Sequence, residues 1–314
     1  MPVLNEYRYL SANGITNVYT REFSPEGVPR GIVQICHGLA EHISRYDDFA
    51  RFLCSNGFLV TGNDHLGHGK TAEENGDFGF FSEVRGWDMV VYDVRKLTNI
   101  ISMRYPGIPV FLLGHSMGSF LARTYMIRYN TGISGIILSG TGEQPPPVLS
   151  AGISLANLEE KRYGPRYHSK AVSGFMADLR SYTEPEAGVY DWVTRDQAVV
   201  EAYIADELTG HSSTVSMLRD MLKGMRFNSL ERNLDKINKG IPVYMFSGDR
   251  DPVGLYGRGV TKVYDLFLSV GMRDVTMKLY PEGRHEMLNE LNKGEVYADV
   301  YNWIESKMKA VRAR

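Results

Sequence analysis

An α/β architecture, one mostly parallel sheet of about eight strands with helices on both faces and an inserted helical segment, is predicted by three observations. Short apolar runs without polar alternation recur along the chain, the pattern of strands covered on both faces. Amphipathic helical patterns lie between these runs, and strand–helix alternation implies parallel neighbours joined by crossovers. The alternation stops between residues 139 and 241, a stretch without a convincing buried strand, and then resumes.

Residues 7–10 and 16–23 read as two strands around Asn13-Gly14, a dipeptide suited to a tight hairpin with positive φ, so the sheet begins antiparallel. Apolar runs follow at 31–37, 57–61, 109–114, 135–139, 242–246 and 275–280, most ending at Gly, Ser or Asp. Helical spacing joins Tyr46, Phe49 and Leu53, stopping at Asn56-Gly57; Val90, Val94, Leu97 and Ile101; and Val260, Val263, Tyr264, Phe267 and Leu268, stopping at Gly271. A last amphipathic helix carries Val296, Val300, Trp303 and Ile304.

The interruption opens with Pro145-Pro146-Pro147. It holds helical patterns at Ala171, Val172, Phe175, Met176 and Leu179, at Val199, Val200, Tyr203 and Ile204, and at Val215, Leu218, Met221, Leu222 and Met225. The chain is thus expected to divide into a core of residues 1–142 and 231–314 and a helical cap of residues 143–230. Such apolar stripes are ordinarily core, but a helical insertion on the loop side of an open sheet is also what a lid is made of.

Composition narrows the function. Lys and Arg number 35 against 37 Asp and Glu, a net charge of −2, so no global attraction to phosphate backbones, and hence no nucleic-acid partner, is expected. Cys36 and Cys54 sit in apolar stretches and are too few for a disulfide framework or a four-thiolate zinc site. Glu6 and Arg8 interrupt the segment where a signal peptide needs an apolar run, and no apolar run of about 18 residues occurs. A cytoplasmic protein without a membrane span is expected; contact of the cap with a membrane surface is compatible with this. Asp64-His65-Leu66-Gly67-His68 brings two imidazoles and a carboxylate close in sequence, yet its glycines fit a packed loop better than a metal site. Gly69-Lys70-Thr71 ends like a phosphate-binding loop, but Asp64 stands where that pattern needs glycine, and no G-x-G-x-x-G occurs. Neither a metal nor an organic cofactor is expected.

The chemistry points elsewhere. Gly114-His115-Ser116-Met117-Gly118 lies between an apolar strand and the helical run 120–129. That strand-to-helix turn needs small flanks to hold the serine in a strained, exposed conformation at a helix N-terminus, so Ser116 is the candidate nucleophile. A serine hydroxyl needs a base, usually a histidine oriented by a carboxylate, and only His168, His211 and His285 follow Ser116. His168 and His211 fall in the insertion, whereas His285 directly follows the last strand and is the candidate base. Asp249 and Asp251 compete for the carboxylate in the loop after strand 242–246, with Glu143 a distant third. Asp249 follows the turn glycine and is placed to cap the loop or pair with Arg250, which leans the choice to Asp251. Two N–H donors must face a developing oxyanion: those of Met117 and, from the loop after Cys36, Leu39, where Gly38 lets backbone approach substrate closely. His115, flanking the nucleophile, is expected to make a structural hydrogen bond rather than act as a second base.

His37-Gly38 with Glu41-His42 and Arg45-Tyr46, Asp64-His65-Leu66-Gly67-His68-Gly69, the Ser116 pentapeptide, Gly248-Asp249-Arg250-Asp251-Pro252 and Gly283-Arg284-His285 together resemble the α/β-hydrolase branch of monoacylglycerol lipases and bacterial lysophospholipases. The resemblance covers nearly the whole chain. It extends into the insertion at Tyr190-Asp191-Trp192-Val193-Thr194-Arg195-Asp196 and Tyr203-Ile204-Ala205-Asp206, which is similar to the cap of lysophospholipase-like bacterial members. It implies a serine hydrolase of carboxylic esters working through an acyl-enzyme, with Ser116, Asp251 and His285 as triad and a monoacylglycerol or lysophospholipid as substrate. Amide or peptide hydrolysis on the same triad, and a non-catalytic hydrolase-fold ligand-binding protein, are the alternatives. Serine at 116, where a haloalkane dehalogenase would carry aspartate, argues against carbon–halogen chemistry. Trp192 and the stripe Met217, Met221, Met225 suit an acyl tunnel or, more simply, core packing. Lys307, Lys309, Arg312 and Arg314 read as a solvated basic terminus.

Overall fold

The computed structural model describes residues 2–129, 131–178 and 188–312. Its strands are β1 (Val3–Leu10), β2 (Asn17–Ser24), β3 (Gly31–Cys36), β4 (Phe58–Asn63), β5 (Val110–His115), β6 (Gly135–Ser139), β7 (Val243–Gly248) and β8 (Val275–Tyr280). They form one sheet in the order β1-β2-β4-β3-β5-β6-β7-β8. The pairs β1–β2 and β2–β4 are antiparallel and all others parallel, the architecture expected from the sequence. The helices are α1 (Asp47–Ser55), α2 (Gly69–Asn75), α3 (Gly86–Arg104), α4 (Met117–Arg128), α5 (Pro146–Tyr163), α6 (Lys170–Asp178), α7 (Gln197–Ala205), α8 (Val215–Ser229), α9 (Glu231–Leu234), α10 (Arg258–Ser269) and α11 (Lys293–Arg312).

The central strands lack polar alternation because both faces are covered. Val33, Ile35, Phe111, Leu113 and Phe246 pack against Phe49 and Leu53 of α1 and Val300, Trp303 and Ile304 of α11. Their strand neighbours Leu112, Ile136, Leu138, Val243 and Met245 point the other way, onto Val94, Ala122, Tyr125, Val260, Val263 and Phe267 of α3, α4 and α10. Each such fully buried side chain contributes about 1.5–3 kcal/mol of transfer free energy.

Two expectations need correction. The run 275–280 is only half-buried, because β8 is the edge of the sheet; Lys278 points out of it to Glu295 at 2.8 Å and Asp299 at 2.6 Å. The first hairpin has no two-residue turn: Leu10 pairs with Asn17, leaving residues 11–16 as the loop. Within it only Gly14 takes a positive φ (80°), while Asn13 Oδ1 accepts the Ile15 and Thr16 amides at 3.0 Å. Asn13 serves as a side-chain turn former rather than a left-handed backbone position.

Helices α5 to α8 and the short α9 lie in the interval between β6 and β7. Three of them match the predicted periodicities; Leu179 lies outside the described residues, and Ile204 is exposed. α5 is a further helix, begun by Pro146 and Pro147 at its first two positions. α8 is bolted to the core: the Asn228 amide donates to Phe120 O at 2.8 Å and accepts from the Thr124 hydroxyl at 2.8 Å, while the Gly86 amide donates to Asp220 at 3.0 Å. Because β3 to β8 are parallel, the loops at their C-terminal ends open on one edge of the sheet, where open α/β folds place their ligands.

Candidate active site

β5 ends at His115 and α4 begins at Met117, so Ser116 alone makes the turn, at φ 51° and ψ −120°. That backbone region is one an L side chain rarely occupies and it persists only where surroundings impose it. They do: the Ser116 amide donates to Ser139 O at 2.9 Å, and Ser116 O accepts the Ser119 amide at 2.8 Å and hydroxyl at 2.6 Å. A Cβ at Gly114 would lie 2.2 Å from Gly118 O, and one at Gly118 only 2.0 Å from Cys36 O, so the flanking glycines are where β3, β5 and α4 touch backbone to backbone. The hydroxyl faces a cavity of about 280 Å³.

His285 lines the same cavity, and Asp251 meets it from the protein interior. Asp251 is fully buried and Oδ1 lies 3.0 Å from His285 Nδ1. The Ser247 hydroxyl donates to Oδ2 at 2.6 Å and the Val253 amide to Oδ1 at 2.8 Å. Burial by itself would raise this carboxyl, but His285, Ser247 and Val253 outweigh it and hold it below the ordinary aspartate range. The buried Nε2 of His285 makes no hydrogen bond to the described residues. The ring is flanked by His115, centroids 4.7 Å apart, and Trp192 at 5.1 Å, and its backbone amide donates to Trp192 O at 3.3 Å.

The loop after β3 brings the backbone of Gly38, Leu39 and Ala40 to the cavity beside Ser116 and Met117. A Cβ at Gly38 would meet Ser116 Cβ at 3.1 Å. The Met117 amide opens α4 and has no intrahelical acceptor; neither it nor the Leu39 amide has an acceptor among the described residues. His37 supports this loop from below: the His65 amide donates to its Nε2 at 2.9 Å, which leaves Nδ1–H to donate to Gly38 O at 2.8 Å. Burial, followed by the nearby imidazoles His65 and His68, pushes His37 well below its usual value, so it is neutral at neutral pH.

The competing residues have other partners. Asp249 donates its amide to Tyr280 O at 3.0 Å and lies 4.0 Å from Arg250. Glu143 pairs at 2.7 Å with the buried guanidinium of Arg123. His115 Nδ1 is 3.1 Å from the Ser139 hydroxyl, and burial with His285 nearby pushes it down to about 4. Asp64 accepts the Ile43 and Lys70 amides, both at 2.8 Å, and burial drives His65 down to about 3 and His68 to about 4, as in a packed loop. In the methionine stripe, Met221 and Met225 line the cavity, whereas Met217 is buried with its methyl against Gly67. Trp192 also lines the cavity, and Lys307 of the basic terminus is paired with Asp274 at 2.7 Å; Arg314 lies outside the described residues.

Sequence reasoning assigned no role to Glu41, Arg45, Tyr203 and Glu286; three of them line the cavity and Arg45 joins them. Arg45 reaches Glu286 across 241 residues of chain, a separation that leaves no local pattern to read. The signals were that Glu41, Arg45 and Tyr203 stand in segments that carry the family resemblance and that Glu286 directly follows His285.

Comparison with known proteins agrees with this geometry. The family model Hydrolase_4 (serine aminopeptidase, S33) matches residues 27–292. The chain is 30% identical to a monoacylglycerol lipase of Mycolicibacterium smegmatis, covering 97% of this chain and 98% of that protein. It is 26% identical to the monoglyceride lipase of Rattus norvegicus, over 95% of this chain and 89% of that one. A carboxyl esterase from Bacillus coagulans, crystallised with glycerol, superposes at a TM-score of 0.90 with 30% identity, covering 98% of this chain and 99% of that one.

Proposed function

The chain belongs to the Hydrolase_4 family of α/β-hydrolases, and from that premise we propose how it acts as a serine hydrolase of carboxylic esters and on what. Its substrates are single-chain lipid esters of the monoacylglycerol or lysophospholipid kind. The observation that carries the mechanism is the buried His285–Asp251 pair, whose unpartnered Nε2 shares one cavity with the strained Ser116. Ser116 Oγ attacks the ester carbonyl while His285 Nε2 takes its proton. Asp251 holds the Nδ1–H tautomer and balances the imidazolium, and the Leu39 and Met117 amides receive the oxyanion. His285 then protonates the departing alcohol, and water repeats the cycle on the acyl-enzyme.

Residues 143–230 act as the cap that selects the substrate. Leu218, Met221 and Met225 of α8, with Leu39 and Phe120, make an apolar wall suited to one acyl chain, and Gln144, Ser212 and Ser213 supply a polar side for the alcohol. No helix among the described residues is long and apolar enough to cross a membrane. Leu158, Tyr163, Val189 and Ile204 expose apolar surface on the cap, which favours transient contact with a lipid surface. The free thiols Cys36 and Cys54 suit a cytoplasmic setting.

The description of the family as serine aminopeptidases makes amide hydrolysis the second reading. One experiment addresses nucleophile and bond type together. A fluorophosphonate probe should label Ser116 and leave Ser116→Ala unlabelled. Matched p-nitrophenyl esters and p-nitroanilides of increasing chain length should then be turned over as esters, best at medium to long acyl length. Faster anilide cleavage, or turnover of acetate alone, overturns the lipid-ester reading.

A further inference from the structure

Glu41, Glu286 and Tyr203 line one side of the cavity and, joined by Arg45, form a buried cluster that the mechanism above does not use. The Arg45 guanidinium donates through one nitrogen to Glu41 Oε2 at 2.8 Å and to Glu286 Oε1 at 2.7 Å, and through the other to Glu286 Oε2 at 2.7 Å. All three side chains are at least nine-tenths buried. Glu41 belongs to the loop that presents Leu39: its Oε1 accepts the Gly38 amide and, at 2.8 Å, the Tyr46 hydroxyl. Glu286 is the residue after His285, and its amide donates to Val193 O at 2.7 Å. The insertion closes the arrangement from above. The Tyr203 ring lies 4.8 Å from the guanidinium, and Ala40 O accepts both the Tyr203 hydroxyl and the Gly210 amide at 2.9 Å.

Leu39 is therefore braced on both sides, Gly38 by the Glu41 carboxylate and Ala40 by the insertion. Ala40 needs the brace, since its φ of 58° is left-handed for a residue with a Cβ. The donor loop and the His285 loop meet at one side chain. Taking two buried carboxylates out of water is costly, and they are tolerated because one planar fork satisfies both. Burial alone would raise Glu286, but Arg45 outweighs it and holds it at about 2, so the Glu286 end of the bridge is charged at neutral pH.

We propose that Arg45 is a positioning residue, which by bridging Glu41 and Glu286 sets the oxyanion donor Leu39 in register with His285. The inference rests on the roles given to Ser116, Leu39 and His285 above. A lysine would retain the charge but lose the fork that binds two carboxylates at once.

The test compares Arg45→Lys, Glu286→Gln and Tyr203→Phe with the parent chain, each shown to be folded by its melting curve. The readouts are kcat and KM on a p-nitrophenyl ester and affinity for a trifluoromethyl ketone bearing the same chain. That ketone forms a bond from Ser116 Oγ to its carbonyl carbon, moves the π pair onto oxygen and sends the serine proton to His285, so it reports the oxyanion site directly. In Arg45→Lys, kcat should fall by about tenfold or more with KM within about threefold. Ketone affinity should fall by the same factor, and Tyr203→Phe should show a smaller parallel loss. If Arg45→Lys fails to fold, the same parallel loss is required of Glu286→Gln. Unchanged kcat in the folded variants, a rise in KM alone, or a fall in kcat without loss of ketone affinity overturns the proposal. Fluorophosphonate labelling separates the two levels: parent labelled at Ser116 with variants behaving like parent rejects Arg45 alone, whereas a parent not labelled there rejects both.

Discussion

The sheet-borne loops and the inserted helices hold their residues in place by different means. At the C-terminal end of β5, Ser116 hangs from a backbone hydrogen bond to β6, and its flanking Gly118 packs against Cys36 O, so its position is set by main chain. In the insertion, main-chain bonds to the core come from the connecting segments, at Trp192, Val193, Gly210 and Thr214. By contrast, α7 itself and its C-cap reach the core through side chains, Tyr203 onto Ala40 O and Asp206 onto His42 at 2.8 Å, while Ile204 faces solvent. Backbone tethers fix geometry whatever the side chains do, whereas side-chain tethers change with each substitution. The first suits a geometry that must stay constant, and the second suits the substrate-selecting role proposed above for the insertion.

That contrast can be broken at several levels. The largest effect should come from Asp251→Asn, which leaves the fold but offers His285 Nδ1 a partner able to favour the wrong tautomer. It should lower kcat by about four orders of magnitude, measured on an ester with an active-site titrant to count competent enzyme; activity within tenfold of the parent would place the carboxylate elsewhere.

Glycine substitutions sharpen the comparison next. Gly118→Ala drives a methyl to 2.0 Å from Cys36 O, and chemical denaturation should show a loss of about 3 kcal/mol or more together with activity. Gly174→Ala, in α6 with nothing within 4 Å of its Cβ, should instead be neutral or stabilising by up to about 1 kcal/mol. Equal effects at the two sites would refute the distinction.

A smaller effect concerns the first hairpin, stapled to α3 by Asp93, which accepts the Ser11 hydroxyl and the Ala12 amide, both at 2.6 Å. Burial pushes this carboxyl up to about 6. A raised carboxyl means that the folded chain keeps its proton after the unfolded chain has released it. Stability should therefore fall as pH rises from about 4 to about 6 and level off above, by about 3 kcal/mol from this group. Unfolding free energies across that window should show a slope in the parent that is shallower in Asp93→Asn; identical slopes would remove Asp93 as its source.

Much of the molecule was legible before folding. Apolar runs that do not alternate announced strands covered on both faces, and Asn56-Gly57 and Gly271 marked where α1 and α10 stop. The run 275–280 misled because an edge strand with Lys278 paired outward has much the same composition as a covered one. Asn13-Gly14 misled because Asn13 forms its turn with a side chain, which the dipeptide does not distinguish from a left-handed backbone.

By itself, the sequence determined what is encoded within a few neighbouring residues: the strand and helix periods, the strained turn at Ser116, and His285 as the histidine following the last strand. Periodicity and turn chemistry are local, so they survive reading in one dimension. Only the tertiary structure decided that His285 meets Asp251 rather than Asp249, that Met221 and Met225 face the cavity while Met217 does not, and that Arg45 joins Glu41 to Glu286. Those contacts depend on where separate loops converge at the sheet edge, and no local pattern records a meeting between residues 241 positions apart.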